Sequence, residues 1–177
     1  RIQIMDFRNA KELLKVCQEQ GLSISAVMLQ RELTEGEQDP EETDRKMDRV
    51  LEIMKSAAST PIHTPVKSMG GLIGGEAKKI SDHKDTGKGL CGDLLERAVI
   101  YAMATLETNA SMGLIVAAPT AGSSGIVPGV VLSLKEEHDF SDSQAVDALF
   151  NAGAIGYLAM RNATVAGAVG GCQAEVG

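Results

Sequence analysis

Residues 1–60 place their apolar positions at the spacing of amphipathic helices. In residues 9–20, apolar side chains recur at i, i+3, i+4 and i+7, and a glycine follows the last of them. The same pattern predicts a second helix over residues 23–35 and a third over residues 40–58. Asp39 stands immediately before the third helix, where an aspartate can cap the free backbone N–H groups.

The pattern changes after residue 60, where small residues and glycine-rich stretches replace the charged faces. Residues 59–92 contain prolines and many glycines and are predicted to form a long loop. Residues 93–112 are apolar nearly all round, which predicts a central helix. A second glycine loop over residues 113–129 leads into a short helix of residues 128–135. Residues 141–161 begin with a capping-box pattern and predict a last helix.

No stretch alternates apolar and polar residues as a strand would, so the predicted fold is mainly α. We expect a compact multi-helix domain with glycine-rich loops at the active site. Residues 1–60 would form the N-terminal amphipathic helices. Residues 61–177 would form the small-residue helical core with glycine loops, as part of the same catalytic domain. The core must be aliphatic, because the chain has no Trp and only five aromatic residues, three Phe and two Tyr.

Charge and hydropathy exclude several classes of function. The formal net charge is −7, which argues against nucleic acid as a partner because phosphate binding requires a basic surface. No charge-free apolar run reaches the roughly 20 residues of a membrane span. The first residues lack the apolar core of a signal peptide, so we expect a cytoplasmic protein with no membrane partner.

The cysteines do not form a disulfide pattern. Cys17, Cys91 and Cys172 are an odd number at wide spacing, so each is expected to be a buried thiol or a metal ligand. Cys17 lies on the apolar face of the first predicted helix. Cys172 is flanked by glycine and alanine, which leaves room for a bulky group to approach its sulfur. The histidines show no metal-ligand spacing with one another or with the cysteines.

Two glycine stretches could bind an anion. The stretch GGLIGGEAKK (70–79) does not match a P-loop, because Glu76 stands where that motif requires lysine. The stretch PTAGSSG (119–125) offers backbone N–H groups at Gly122 and Gly125 together with three hydroxyls. It is either a cradle for an anion or carboxylate, or a flexible connector between two helices.

Four motifs in this order resemble one family: GGEAKK (74–79), ETNASMG (107–113), APTAGSSGIVPG (118–129) and VAGAVGGCQAEVG (165–177). Together they resemble the α subunit of the iron–sulfur-dependent L-serine dehydratases in their two-subunit form. The resemblance extends from about residue 7 to residue 177. It implies conversion of L-serine to pyruvate and ammonia, with a β subunit as partner and possible homo-oligomers.

The family resemblance also implies a [4Fe–4S] cluster held by three cysteines. Cys172 matches the first of them, and the two others belong to a later family segment that this sequence does not contain. One thiolate cannot hold such a cluster, so no cofactor is expected in the chain as given, and as this fragment it should be inactive. In the full-length protein an iron without a fourth cysteine would act as a Lewis acid on the hydroxyl and carboxylate of serine.

The resemblance assigns roles to individual positions. Lys79 and Ser123 are the candidates for catalysis, with Lys79 either holding the substrate carboxylate or transferring a proton. The candidates for substrate binding are Asn109, Thr120, Gly122, Ser124 and Asn162. The general base is left unassigned.

Two other functions remain open from the residues alone. A dehydratase dependent on pyridoxal phosphate would use a Schiff-base lysine, such as Lys78 or Lys79, and a glycine loop for the phosphate. A non-enzymatic helical interaction domain would use the charged helices of residues 1–60 as its docking surface.

Overall fold

The computed structural model describes residues 6–36, 39–89, 91–164 and 167–170. These residues are mainly α-helical, as predicted, and no strand occurs among them. The helices are α1 (Ala10–Gln20), α2 (Ile24–Glu35), α3 (Pro40–His63), α4 (Glu76–Lys84), α5 (Asp93–Ala110), α6 (Ile126–Glu137), α7 (Asp142–Asn162) and the single turn α8 (Gly167–Gly170).

Side-chain caps begin the helices that the sequence predicts best. The Asn9, Ser23 and Asp39 side chains accept from the N–H groups of the first turns of α1, α2 and α3. At α7 the capping box is complete, with Ser141 and Gln144 bonded reciprocally. Each such cap stabilises a helix by roughly 1 kcal/mol, so these starts are determined locally.

The prediction of one long loop over residues 59–92 is wrong in two places. Helix α3 continues to His63, and α4 occupies Glu76–Lys84. Helix α3 passes through Pro61, which has no N–H to donate to the carbonyl of Ala57 four residues earlier. The Thr108 hydroxyl of α5 donates to that carbonyl at 2.9 Å, so a neighbouring helix replaces the missing bond.

Two apolar clusters form the core. One joins Phe7 to side chains of α1, α2 and α7, and Phe7 packs edge-on against Tyr157 with ring centroids 5.3 Å apart. The second joins α3, α6 and α7 around residues such as Leu51 and Leu149. Helix α5 contacts α3, α4 and α6, so it is central as predicted and can position the segments around its C-terminal end.

The close approach of helices occurs at α5 and α6, not at α7. The small residues of α7 predict close packing, yet a Cβ added at Gly153 or Gly156 meets no atom within 4 Å. A Cβ at Gly125 would lie 2.5 Å from the carbonyl oxygen of Ala102, and one at Gly129 would lie 2.7 Å from that of Ala98. The glycines that allow contact are therefore at the start of α6, beside the 118–125 loop.

Candidate active site

The GGEAKK motif forms the N-terminal turn of α4, and its geometry depends on Gly74. Gly74 has φ +148°, and its N–H donates to Glu76 Oε2 at 2.7 Å. This bond is the main cause that lowers the pKa of the Glu76 carboxyl below its ordinary value. The positive charge of Lys79 contributes further lowering. The turn thus brings a lysine and a carboxylate together.

Gly74→Ala is expected to lower the free energy of unfolding by about 2 kcal/mol. The added Cβ would lie 2.1 Å from the backbone oxygen of Val66, and positive φ adds strain. Urea denaturation of the purified chain measures this. Gly71→Ala is the control, because Gly71 also has positive φ, at +69°, but an added Cβ there meets nothing within 4 Å. Equal losses in the two variants would show that the contact with Val66 does not matter.

The last turn of α5 holds three other segments through three consecutive side chains. The Glu107 carboxylate accepts from the N–H groups of Gly75 and Ala77 at the start of α4, at 3.0 and 2.8 Å. The Thr108 hydroxyl donates to α3 as described above. The Asn109 amide donates to the carbonyl of Ala121 at 3.1 Å. The motif ETNASMG therefore connects two of the other family motifs.

The PTAGSSG segment is held by its own hydroxyls. The Ser123 Oγ lies 3.2 Å from the Thr120 hydroxyl and accepts from the Thr120 N–H at 3.3 Å. The Ser124 hydroxyl donates to the Ala121 carbonyl at 2.7 Å. Ser123 is 3% exposed and Ser124 is fully buried. Both serines therefore face into the loop, and their hydroxyls bond within it.

The loop leads directly into an N-terminus without a side-chain cap. Gly125 is the N-cap of α6, and no side chain bonds to the first turn, which also lacks acidic residues. In that turn the Ile126 N–H donates to the Ser123 carbonyl at 3.2 Å and Pro128 has no N–H, so the positive end of the helix dipole, more than free donors, favours a negatively charged ligand here. Gly122 is exposed, and a Cβ added there would have only the Thr120 hydroxyl within 4 Å, at 3.9 Å. This side of the loop is open to a small anion.

The predicted site residues do not all lie together. Asn109, Thr120, Gly122, Ser123 and Ser124 belong to α5's last turn and the loop bonded to it. Lys79 is exposed on α4. Glu107, in the last turn of α5, bonds to the start of that helix.

Asn162 bonds elsewhere. Its amide donates to the carbonyl of Leu158 within α7 at 2.9 Å and to that of Arg8 at 2.8 Å, and the second bond joins the end of α7 to the N-terminal segment. Cys172 lies outside the described residues.

Sequence reasoning missed Glu107. It is 2% exposed, whereas charged residues are almost never fully buried without a partner. The available signal was a lone acidic residue near the end of a helix whose other charged residues, Asp93, Glu96 and Arg97, lie in its first turns. Its partners come from a turn about thirty positions earlier, and local patterns do not predict such a contact.

The described residues do not by themselves form a metal site. Within them, no group of three or more His, Cys, Asp or Glu could hold an ion. Cys17 is half-buried on α1 and Cys91 is exposed before α5, as separate free thiols. None of the helices in the described part of the chain is long and apolar enough to cross a membrane.

Comparison with known proteins identifies the family. Residues 19–177 match the family described as serine dehydratase alpha chain, and the chain belongs to this family. The probable L-serine dehydratase alpha chain of Bacillus subtilis is 43% identical over 171 residues, which are 97% of this chain and 57% of that protein. The L-serine dehydratase alpha chain of Peptoniphilus asaccharolyticus is 38% identical over 95% of this chain and 58% of its own length.

A further relative differs in how much of it the chain covers. L-serine dehydratase TdcG of Escherichia coli is 32% identical over 97% of this chain but only 38% of its own length. The chain therefore spans a little over half the length of the Bacillus subtilis and Peptoniphilus asaccharolyticus alpha chains, and less of TdcG.

Proposed function

We propose that the complete protein is an L-serine dehydratase, a lyase that converts L-serine to pyruvate and ammonia. The observation that carries the proposal is the 118–125 loop, which Asn109 and its own serines hold in place before the uncapped N-terminus of α6. A loop held in place at the positive end of a helix suits the carboxylate of a small amino acid. Membership in the serine dehydratase family makes L-serine the substrate to test.

The reaction requires two bonds to break in the substrate. A base removes the proton from Cα, and the hydroxyl leaves from Cβ with the electron pair of its C–O bond. The resulting aminoacrylate tautomerises to an imine, and water hydrolyses the imine to pyruvate and ammonia. In this proposal the positive end of the α6 dipole and the Thr120 hydroxyl hold the carboxylate, and Lys79 supplies positive charge. Ser123 and Ser124 keep the donors in place.

Hydroxide leaves poorly, and the cofactor in our proposal addresses that difficulty. We infer that the full-length protein holds a [4Fe–4S] cluster with Cys172 as one ligand, and that the cluster polarises the substrate hydroxyl and carboxylate as a Lewis acid. The described residues supply no cluster site, so the inference rests on the GGCQAEVG motif and on the family. The residue roles above do not depend on the cluster.

We also propose a β subunit as partner, in the cytoplasm. Identity is higher to the two relatives named alpha chain than to the longer TdcG, which supports a two-subunit enzyme. Exposed apolar side chains beside the end of α5 are consistent with a covered surface: Met69, Leu72, Met112 and Leu114 are between 63% and 91% exposed.

The test is serine turnover by the complete enzyme, prepared with its partner subunit without air. We expect pyruvate from L-serine, iron bound to the protein, and loss of activity on exposure to oxygen or to an iron chelator. Activity that survives oxygen and chelators but is abolished by a carbonyl reagent such as hydroxylamine would instead indicate pyridoxal phosphate. No turnover with L-serine, with iron present, would contradict the proposal and favour an interaction domain.

A further inference from the structure

The Glu107 carboxylate is buried and bonded to backbone rather than to a cation. One oxygen accepts from Gly75 N–H and the other from Ala77 N–H, at 3.0 and 2.8 Å. Glu107 is 2% exposed, and burial of a charged carboxylate is costly unless strong hydrogen bonds satisfy it. A carboxylate that is buried despite this cost in free energy should have a role that a neutral side chain cannot fill.

A carboxylate is the one side chain that suits this position chemically. The N-cap of α4 is Gly75, which has no side chain to cap the helix. Glu107 caps α4 from another helix, with one oxygen for each N–H group and a negative charge at the positive end of the helix. Glutamine would offer one acceptor oxygen and turn its NH₂ group towards the second N–H.

The contact is linked to Lys79 through the first turn of α4. The N–H of Lys79 donates to the carbonyl of Gly75 at 3.1 Å, and Gly75 is one of the two residues that Glu107 holds. Asn109, two residues after Glu107, holds the 118–125 loop. The last turn of α5 therefore bonds both to the segment that contains Lys79 and to the 118–125 loop of the proposed site.

We propose that Glu107 is a positioning residue of the serine site: it fixes the first turn of α4 so that Lys79 is held at a set place relative to the 118–125 loop. The inference rests on the proposed function for its effect on turnover. The contact between Glu107 and α4 does not depend on the substrate, and amide hydrogen exchange measures it separately.

The kinetic test compares Glu107→Gln and Lys79→Met in the complete air-free enzyme. Both variants should raise KM for L-serine by about tenfold or more and change kcat less, because both act on substrate binding through the same lysine. In the Lys79→Met background, Glu107→Gln should add less than about twofold. Multiplicative effects, or a change confined to kcat in Glu107→Gln alone, would overturn the inference.

Amide hydrogen exchange separates this inference from the proposed function. In Glu107→Gln the amides of residues 76–80 should exchange at least about tenfold faster, with little change in α7. The matched control is Thr105→Val, because Thr105 is also buried in α5 but its hydroxyl bonds within the helix, to Tyr101. If the parent enzyme does not turn over L-serine, the proposed function fails, but amide exchange still tests whether Glu107 holds the first turn of α4. Unchanged exchange in α4 would overturn the positioning role.

Discussion

Replacement of Cys172 by serine is expected to remove iron from the complete enzyme and to lower serine turnover by at least about 100-fold. Iron–sulfur clusters are held by thiolates, and a serine hydroxyl is both harder and far less acidic than a thiol. In the proposal Cys172 is one ligand of the cluster, and its sequence neighbours Gly170, Gly171 and Ala174 are small. Iron per protein and pyruvate formation in air-free preparations measure the effect.

Cys91→Ser is the control for that experiment. Cys91 is an exposed free thiol at the end of the segment that leads into α5, so its replacement should leave iron content and turnover within about twofold of the parent, as surface substitutions usually do. Full iron content and unchanged activity in Cys172→Ser would remove the cluster role from this residue. Loss in both variants would show instead that cysteine replacement harms the enzyme in general.

Local signals predicted the helices whose starts are built from adjacent residues. Asp39 and Pro40 begin α3, and Ser141 begins α7, as the sequence predicted. Helix α4 was missed because it buries only Ala77 and so shows no apolar stripe. Its cap is Glu107 of α5. Secondary structure that depends on a contact across the fold leaves no periodic pattern in its own segment.

The candidate site shows the same limit. The motifs identified the 118–125 loop, yet hydroxyl-rich composition could not show which hydroxyls face outward. Ser123 and Ser124 are turned into the loop, whereas Thr120 stays partly exposed. The continuation of α3 through Pro61 was also beyond local rules, because the Thr108 hydroxyl that compensates for the proline lies on another helix.

Gly129→Ala is expected to destabilise the fold by about 3 kcal/mol, although alanine favours a helix over glycine by roughly 1 kcal/mol. Gly129 lies inside α6, and an added Cβ would stand 2.7 Å from the carbonyl oxygen of Ala98 and 3.2 Å from the Cβ of Ala102. These atoms belong to a packed helix and cannot move aside as a flexible side chain would. The helices α5 and α6 must therefore separate.

Further contacts between the two helices oppose that separation. Arg97 of α5 forms ion pairs with Glu136 and Glu137 of α6, at 3.6 and 3.4 Å. The Tyr101 hydroxyl donates to Glu136, and burial, followed by this bond, raises the pKa of the Tyr101 phenol. The strain of an added methyl group should therefore be relieved at the other end of the contact between α5 and α6, at Gly125, where α6 meets the 118–125 loop.

Gly153→Ala is the matched comparison, because Gly153 is also inside a helix but has no atom within 4 Å of an added Cβ. This variant should raise the free energy of unfolding by about 0.5–1 kcal/mol. Urea denaturation of both variants should therefore give changes of opposite sign for the same substitution. Because α6 carries the loop of the candidate site, Gly129→Ala should also weaken serine binding in the complete enzyme. Equal gains in stability would show that the α5–α6 approach is looser than the distances at Gly129 indicate.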